Sequence, residues 1–502
     1  MSSKPLGRAV AILISVLAVC AALGAGHLVA AVVEPNASPY LAVGNTAIDL
    51  TPEPIKAFAI RTFGEADKMV LLLGMSVVIA GLAVFGGLVS QRSAWPGLVL
   101  FAVFGGLGIA ATIARPDLGA SAIAAPAVSA AAGTAVFARL HVVARRSGEG
   151  TADGRRRFLI AGGAVAAGSA LAGIGGMLAG ARDGVEASRS AVTIKPPPPI
   201  PAGADFAKLG TPSFRTPNRD FYRVDTALRV PRLRSEDWRL RVHGMVGREL
   251  TLTFDDLLRR RRVARTITMT CVSNEVGGPY VSTAHFVGVP IRDVLLEAGV
   301  QAGAEQVFST SVDGYTAGTP VDVLLAPERY ALLAYGMNGE PLPAEHGFPV
   351  RMVTPGLYGY VSATKWLTDL ELTTFGRETY WERRGWAERA PIKTQSRIDR
   401  PRGFARIPAG RTTVAGTAWA QTIGIDRVEV RVDGGAWQPA RLSTEVNLDT
   451  WRMWYADLDL APGGHRIECR ATDRNGYTQT PERVPTVPDG ATGWHSVFCT
   501  AR

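Results

Sequence analysis

The chain has 502 residues, of which 47% are hydrophobic and 20% charged, and its formal net charge is +10. The length has room for about three domains, and the hydrophobic content is unevenly spread, with the first 180 residues rich in Ala, Val, Leu and Gly. The basicity does not mark a nucleic-acid binder, because most arginines are scattered and the clustered ones flank apolar runs.

The N-terminal third is built from apolar runs at about Val10–Val33, Met69–Ser90, Trp95–Ala114, Ala120–Val143 and Phe158–Ala181. Each is nearly free of charge and fits the roughly 20 residues that cross a bilayer. They lack an amphipathic period, which argues against a soluble helix bundle. The fourth and fifth are rich in small residues, which suit close helix contacts in lipid. Lys4, Arg8, Arg92, Arg145, Arg146 and Arg155–Arg157 all fall on one side of such a five-span arrangement, the cytoplasmic side. The acidic loop with Glu34, Asp49, Glu53, Glu65 and Asp67 falls outside, and so does the long polar remainder. This predicts a multi-pass plasma-membrane protein with an extracytoplasmic domain. Gly154-Arg155-Arg156-Arg157-Phe158-Leu159 before the fifth run looks like an internal twin-arginine export signal, or else sets topology only. His27 and His141 lie near span ends, but no paired-helix histidine pattern indicates haem. A quinone site among the spans has no sequence signature. Polar residues are too scarce within the spans for a transporter.

Residues 1–181 are thus read as the transmembrane region. Residues 182–204 hold Lys195-Pro196-Pro197-Pro198-Pro199-Ile200-Pro201, a stiff polyproline spacer leading away from the membrane. Residues 205–385 read as an α+β domain. Strand-like "WRLRVHG", "ARTITMTC", "EQVFSTSV" and "PVRMVTP" alternate with helical "TFDDLLRRR" and "IRDVLLEAGV". Thr253 is placed to cap the first helix, and Pro290 starts the second. Residues 386–502 become all β, with polar–apolar alternation and Asp-Gly and Asn-Gly turns, an immunoglobulin-like sandwich. Cys469 and Cys499 lie on late strands there and could pair as a disulfide outside the cytoplasm. Cys20 lies mid-span, and no cysteine–histidine constellation indicates zinc or an iron–sulfur cluster.

Cys271 stands apart from these. Ile267 and Met269 lead into it, and Asn274, Gly277, Gly278 and Pro279 follow, so it sits where a strand gives way to a loop. Alone, it is a small buried core residue. Its surroundings change the reading. Phe221-Tyr222-Arg223, the Cys271 segment, Leu333-Ala334-Tyr335-Gly336-Met337-Asn338-Gly339, His346–Arg351, Pro355–Trp366 and Trp451–Trp454 occur in one order between Asp205 and Arg502. This stretch resembles the sulfite oxidase family of molybdopterin enzymes; residues 1 to about 200 do not share the resemblance.

The resemblance implies a molybdenum–molybdopterin cofactor with Cys271 as the metal's thiolate ligand, a soft donor suited to a redox metal. It implies that Tyr222, Arg223, Ser311, Asp313, His346, Arg351, Ala363, Thr364 and Lys365 hold the pterin and its phosphate. Tyr335 matches the active-site tyrosine, and Arg452 an arginine turned toward the anion pocket. Arg223 joins Cys271, Tyr335 and Arg452 in the catalytic set. One departure concerns substrate: the family's sulfite-oxidising members carry an arginine where Val224 stands here, with Asp225 next. A one-residue step on a strand reverses the side chain's face, so sulfite itself is left open. The expectation is a membrane-anchored oxidoreductase performing two-electron oxygen-atom transfer on a small oxyanion or an S- or N-oxide. Its electron partner is a membrane or extracytoplasmic carrier such as a quinone or a cytochrome. The resemblance also implies a homodimer through the last domain. The alternative is a non-catalytic surface protein, an immunoglobulin-like module on an anchor with a degenerate cofactor fold.

Overall fold

The computed structural model describes residues 5–52, 55, 58–59, 62–63, 66–115, 118–147, 152–180, 184–224 and 226–502. Lys4, Glu53, Glu65 and Asp225 of the sequence reading lie outside these. The chain divides into two compact units: Met1–Gly184 with Asp225–Val230, and Val185–Val224 with Pro231–Arg502.

The first unit is helical: α1 (Arg8–Val33), α2 (Pro39–Leu50), α3 (Asp67–Val89), α4 (Trp95–Ile113), α5 (Ala124–Ser147) and α6 (Ala152–Gly180). Among the described residues, five helices are long and apolar enough to cross a membrane, by length and composition. α1 packs against α3, α5 and α6. Small residues set this closeness: a Cβ on Gly24 would lie 2.8 Å from the Ser169 carbonyl oxygen, and one on Gly87 2.6 Å from that of Ala11. Large apolar side chains such as Val77, Leu159 and Leu171 point outward. The short helix α2 has no counterpart in the sequence reading. Segment 226–230 belongs to this unit although its neighbours on both sides do not: Lys68 Nζ donates to the Ala227 carbonyl at 2.6 Å.

The second unit takes in the proline-rich segment, and the stiff spacer expected there lies along the domain. Val192 and Ile194 are buried, Ile194 lies against Gly336, and Arg215 donates to the Pro198 carbonyl at 2.8 Å. Gly339 sits at φ +90°, with Pro197 against it where a Cβ would be, so only glycine lets the strap lie this close.

Two sheets form the α+β part. One has β1 (Arg239–Gly244), β2 (Leu250–Thr253), β5 (Gln306–Ser311), β6 (Thr316–Pro320) and β10 (Leu367–Thr373), in the order β2-β1-β10-β5-β6. The other has β3 (Val263–Thr270), β4 (Val281–Pro290), β7 (Leu332–Met337) and β8 (Glu340–Pro341) in sequence order, and β9 (Arg351–Val353) also pairs with β7. The helix Phe254–Arg259 opens on a capping box in which Thr253 Oγ1 accepts from Asp256 N and Asp256 accepts from Thr253 N. Buried Val, Leu, Ile and Phe side chains from both sheets and this helix make one continuous core.

The last part is a two-sheet β-sandwich. One sheet contains β11 (Gln395–Arg400), β13 (Gly410–Trp419), β16 (Arg441–Leu442) and β17 (Arg452–Leu460). The other contains β12 (Arg406–Ile407), β14 (Ile425–Val432), β15 (Gln438–Pro439), β18 (Gly463–Asp473) and β19 (His495–Ala501). Alternating inward residues such as Val414, Leu458, Val428 and Ile467 fill the space between them. The possible Cys469–Cys499 disulfide is excluded by register. Cys469 faces His495 and Cys499 faces His465, so the two thiols stand four residues apart along neighbouring strands, roughly 13 Å.

Candidate active site

β3 delivers Cys271 at its C-terminal end. The residue is 8% exposed; its N–H donates to the Tyr280 carbonyl at 3.0 Å, and its carbonyl accepts from Asn274 N at 3.1 Å. These bonds close the 271–280 loop and fix the sulfur against it. Burial pushes the thiol upward, opposed by hydrogen bonds from the backbone and side chain of Ser273. Tyr222, Tyr315 and Tyr358 lie within electrostatic reach of this sulfur. Burial raises the pKa of each, and the Cys271 charge raises it further. Tyr222 stacks on Phe221 with ring centroids 5.4 Å apart, and its N–H donates to Ser282 Oγ. Tyr315 donates its hydroxyl to the Tyr360 carbonyl at 3.0 Å.

A second group gathers cations. Arg351 is 5% exposed, and its guanidinium donates only to carbonyls: Met352 and Ala363 at 3.3 Å and His346 at 3.2 Å. Among the described residues no carboxylate pairs with it. Burying a charge without a counter-charge is costly, and desolvation depresses Arg351 to about 10. Gly347, at φ +109°, brings Lys365 and Arg351 together: a Cβ there would meet both their Cβ atoms at 3.0–3.1 Å. Lys365 Nζ donates to the Glu345 carbonyl and lies over the Trp366 ring. His346 Nε2 donates to the Asn218 carbonyl at 2.9 Å. Burial first, then Arg351, Lys365 and Arg223, hold this imidazole down at about 4.

Other polar atoms also await a partner. Ser311 Oγ and Asn274 Nδ2 are buried with no hydrogen-bond partner among the described residues. Thr364 Oγ1 shares a hydrogen bond with Ser309 Oγ at 2.7 Å, and Asp313 Oδ1 accepts from Tyr315 N at 3.4 Å. Buried uncompensated positive charge, orphaned donors and a nearby soft sulfur fit a buried anionic group carrying a metal.

Comparison with known proteins agrees with this chemistry. Residues 227–381 match the oxidoreductase molybdopterin binding domain family. Sulfite oxidase of Gallus gallus is 31% identical over 343 residues, which cover 58% of this chain and 74% of that protein. The chain belongs to the sulfite oxidase family of molybdopterin-dependent oxidoreductases. Mitochondrial sulfite oxidase of Homo sapiens is 32% identical over 329 residues, 56% of this chain and 60% of that protein. The chain thus spans about 60% of the length of that relative. The crystal structure of the sulfane dehydrogenase SoxCD from Paracoccus pantotrophus shares the fold, with a TM-score of 0.51 and 22% identity over 62% of this chain and 88% of that one. The cofactor of this family is molybdenum held by molybdopterin.

Within this family assignment, most residues expected at the site converge. Arg223, His346, Arg351 and Lys365 share one electropositive cluster, where the Ala363 carbonyl accepts from Arg351. Thr364, next to Ala363, is tied to Ser309 on β5. Ser311 and Asp313 close the β5–β6 hairpin, with Ser311 N donating to the Tyr315 carbonyl.

Two expectations fail. Tyr335 does not face Cys271. Its neighbour Ala334 lies directly opposite Arg351 in the β7–β9 pair, so Tyr335 points to the other face of the sheet. Its ring packs on Phe254 at 6.1 Å, and Arg262 acts on its phenol. Arg452 does not turn to an anion pocket either: Nη2 and Nε donate to the Ser443 carbonyl, and Nη1 pairs with Glu445 at 3.3 Å. Tyr315, which the sequence reading did not single out, lies within electrostatic reach of Cys271. Its signal was the Asp313-Gly314 turn, which places the next residue at the mouth of a hairpin.

The depressed His346 sets a pH dependence. Its folded value, about 4, lies below the unfolded 6.5. Its contribution to stability is therefore whole above about pH 6.5 and is lost as pH falls toward 4. The cofactor-free protein should lose thermal stability across that window, and His346→Gln should flatten the loss. Equal slopes for both proteins would mean that other groups carry the transition.

Proposed function

We propose that this chain is a membrane-anchored molybdenum-cofactor oxidoreductase with its catalytic unit outside the cytoplasm. It transfers an oxygen atom to or from a small substrate in a two-electron reaction. The observation that carries this reading is Arg351, a buried cation whose hydrogen-bond partners among the described residues are carbonyls, beside His346 and Lys365 in a domain that also presents a buried cysteine sulfur. When bound, the cofactor supplies the redox electrons and the position at which oxygen is exchanged.

This chain's residues divide the remaining work. Cys271 offers the metal a soft anionic sulfur. Arg351, Lys365 and Arg223 would neutralise the phosphate end, and His346 stays neutral beside them with its N–H held by the Asn218 carbonyl. Ser311, Asp313, Ala363, Thr364 and Tyr222 contact the pterin. Tyr315 keeps its proton at neutral pH, because burial and the Cys271 charge both oppose ionisation. That proton is held by the Tyr360 carbonyl, which fixes the ring beside the sulfur. The engagement of Arg452 with Glu445 and the exposed Val224 favour an uncharged S- or N-oxide over an oxyanion.

The five apolar helices and the arginines that flank them support the membrane anchor and its orientation. Electrons then pass to or from a quinone or cytochrome in or beside the membrane. Twin-arginine export suits a domain that takes up its cofactor before translocation, and the sandwich is the surface for homodimerisation.

Purified protein from a cofactor-competent host should contain about one molybdenum per chain. It should also turn over an oxide with an artificial electron donor, or a reduced substrate with an acceptor. Molybdenum-free protein from such a host would return the reading to a non-catalytic surface protein.

A further inference from the structure

We infer that the C-terminal sandwich positions the catalytic cysteine by gripping the open edge of its strand, with Gln421 as the positioning residue that holds the residue just before it. β3 is the edge strand of its sheet and, among the described residues, pairs there with β4 alone. Its outward backbone groups would otherwise be buried without partners, which is costly.

Loops of the sandwich supply those partners. Thr268 N donates to the Asp449 carbonyl at 2.8 Å, and Asn447 Nδ2 donates to the Thr266 carbonyl at 3.1 Å. Trp451 N donates to Thr268 Oγ1 at 2.8 Å, and Arg265 Nε pairs with the Asp449 carboxylate at 2.8 Å. Gln421, just beyond β13, donates from Nε2 to both the Thr268 carbonyl and Thr270 Oγ1, each at 3.1 Å. Thr270 immediately precedes Cys271.

Burial makes this grip directional. Gln421 and Asp449 are each 2% exposed, and Thr268 and Thr270 are each 1% exposed. Gln421 Oε1 has no partner among the described residues, so the amide is oriented by what its NH₂ group holds. Turning it over would set Oε1 against the Thr268 carbonyl oxygen, two acceptors with no proton between them. A side chain kept in place for its donor alone acts on the strand it grips. The consequence for chemistry rests on the proposal that Cys271 ligates the metal: small displacements of a ligand strand are felt in rate, because reacting groups must be held to within a fraction of an ångström.

The test compares Gln421→Leu and Gln421→Glu with Gln395→Leu in the full-length protein. Gln395 is a control of the same type: it is buried, and its Nε2 donates to the Ala491 carbonyl at 2.8 Å, inside the sandwich and away from β3. Amide exchange over residues 266–271, read in cofactor-free protein, should rise about tenfold in both Gln421 variants and not in Gln395→Leu. In the holoenzyme, kcat should fall about tenfold with KM within about twofold of the native value, and the molybdenum's paramagnetic signal should shift. Exchange no faster than in Gln395→Leu overturns the grip. Faster exchange with native kcat and an unshifted signal overturns its role in positioning. A wrong metal assignment shows separately, as an unchanged metal signal in Cys271→Ser.

Discussion

Replacing Cys271 by serine should lower turnover by at least about a thousandfold while the protein stays folded and keeps most of its cofactor. Serine preserves the shape at a site that is 8% exposed and can still accept from Ser273, so the fold loses little. What it loses is a soft, electron-rich donor, and a hard alkoxide or alcohol does not replace thiolate on a redox metal. Retention of the cofactor is expected because, in the proposed reading, Arg351, Lys365, Arg223 and His346 hold the phosphate end independently of the sulfur. Three measurements check this: molybdenum per chain, the optical and paramagnetic signals of the bound metal, and kcat with an artificial electron partner. Altered signals with molybdenum retained would establish the sulfur as ligand. Native signals in the serine variant would remove Cys271 from the metal, and with it the mechanism proposed here.

The legibility of this site in the sequence follows the range of the forces involved. Cys271 could be placed at a strand end because Ile267 and Met269 on one side and Asn274, Gly277 and Pro279 on the other are local signals. The apolar runs were equally local, and five helices stand over them, although α2 and the capture of residues 226–230 by the helical unit were not foreseen. Tyr335 was misread because β7 is buried on both faces, so alternation cannot say which face fronts the site; only the Ala334–Arg351 register decides. Arg452 was misread because its partner Glu445 reaches it through the folding back of β16 on β17. The grip of Gln421 on Thr268 and Thr270 spans more than 150 residues of chain and leaves no pattern at either end. The proline run fixed a stiff conformation, and the surface it lies on was set by Gly336 and Gly339, far along the chain.

Arg351→Met should separate cofactor binding from folding, with effects of opposite weight in the two forms of the protein. In the cofactor-free protein the native arginine is a burden. Its depression from 12.5 to about 10 corresponds to roughly 3 kcal/mol of unfavourable desolvation at neutral pH. Its three hydrogen bonds to carbonyls return about 1 kcal/mol each, so the two effects nearly cancel. Methionine removes both at similar volume, and cofactor-free stability should change by no more than about 1 kcal/mol. With the cofactor present, the balance is different, because a buried phosphate loses a charge-assisted partner. Truncating one side of such a pair costs about 2–4 kcal/mol, or roughly 30- to 1,000-fold in affinity. Purified Arg351→Met should therefore carry far less molybdenum and pterin than the native protein, with a nearly native thermal midpoint once both are stripped. Arg351→Lys should recover only part of the loss, since an ammonium lacks the planar fork. Full cofactor loading in Arg351→Met would mean that Lys365 and Arg223 suffice for the anion and that the buried guanidinium serves some other end. A collapsed cofactor-free midpoint would mean that the carbonyls of Met352, His346 and Ala363 depend on Arg351 for the fold itself.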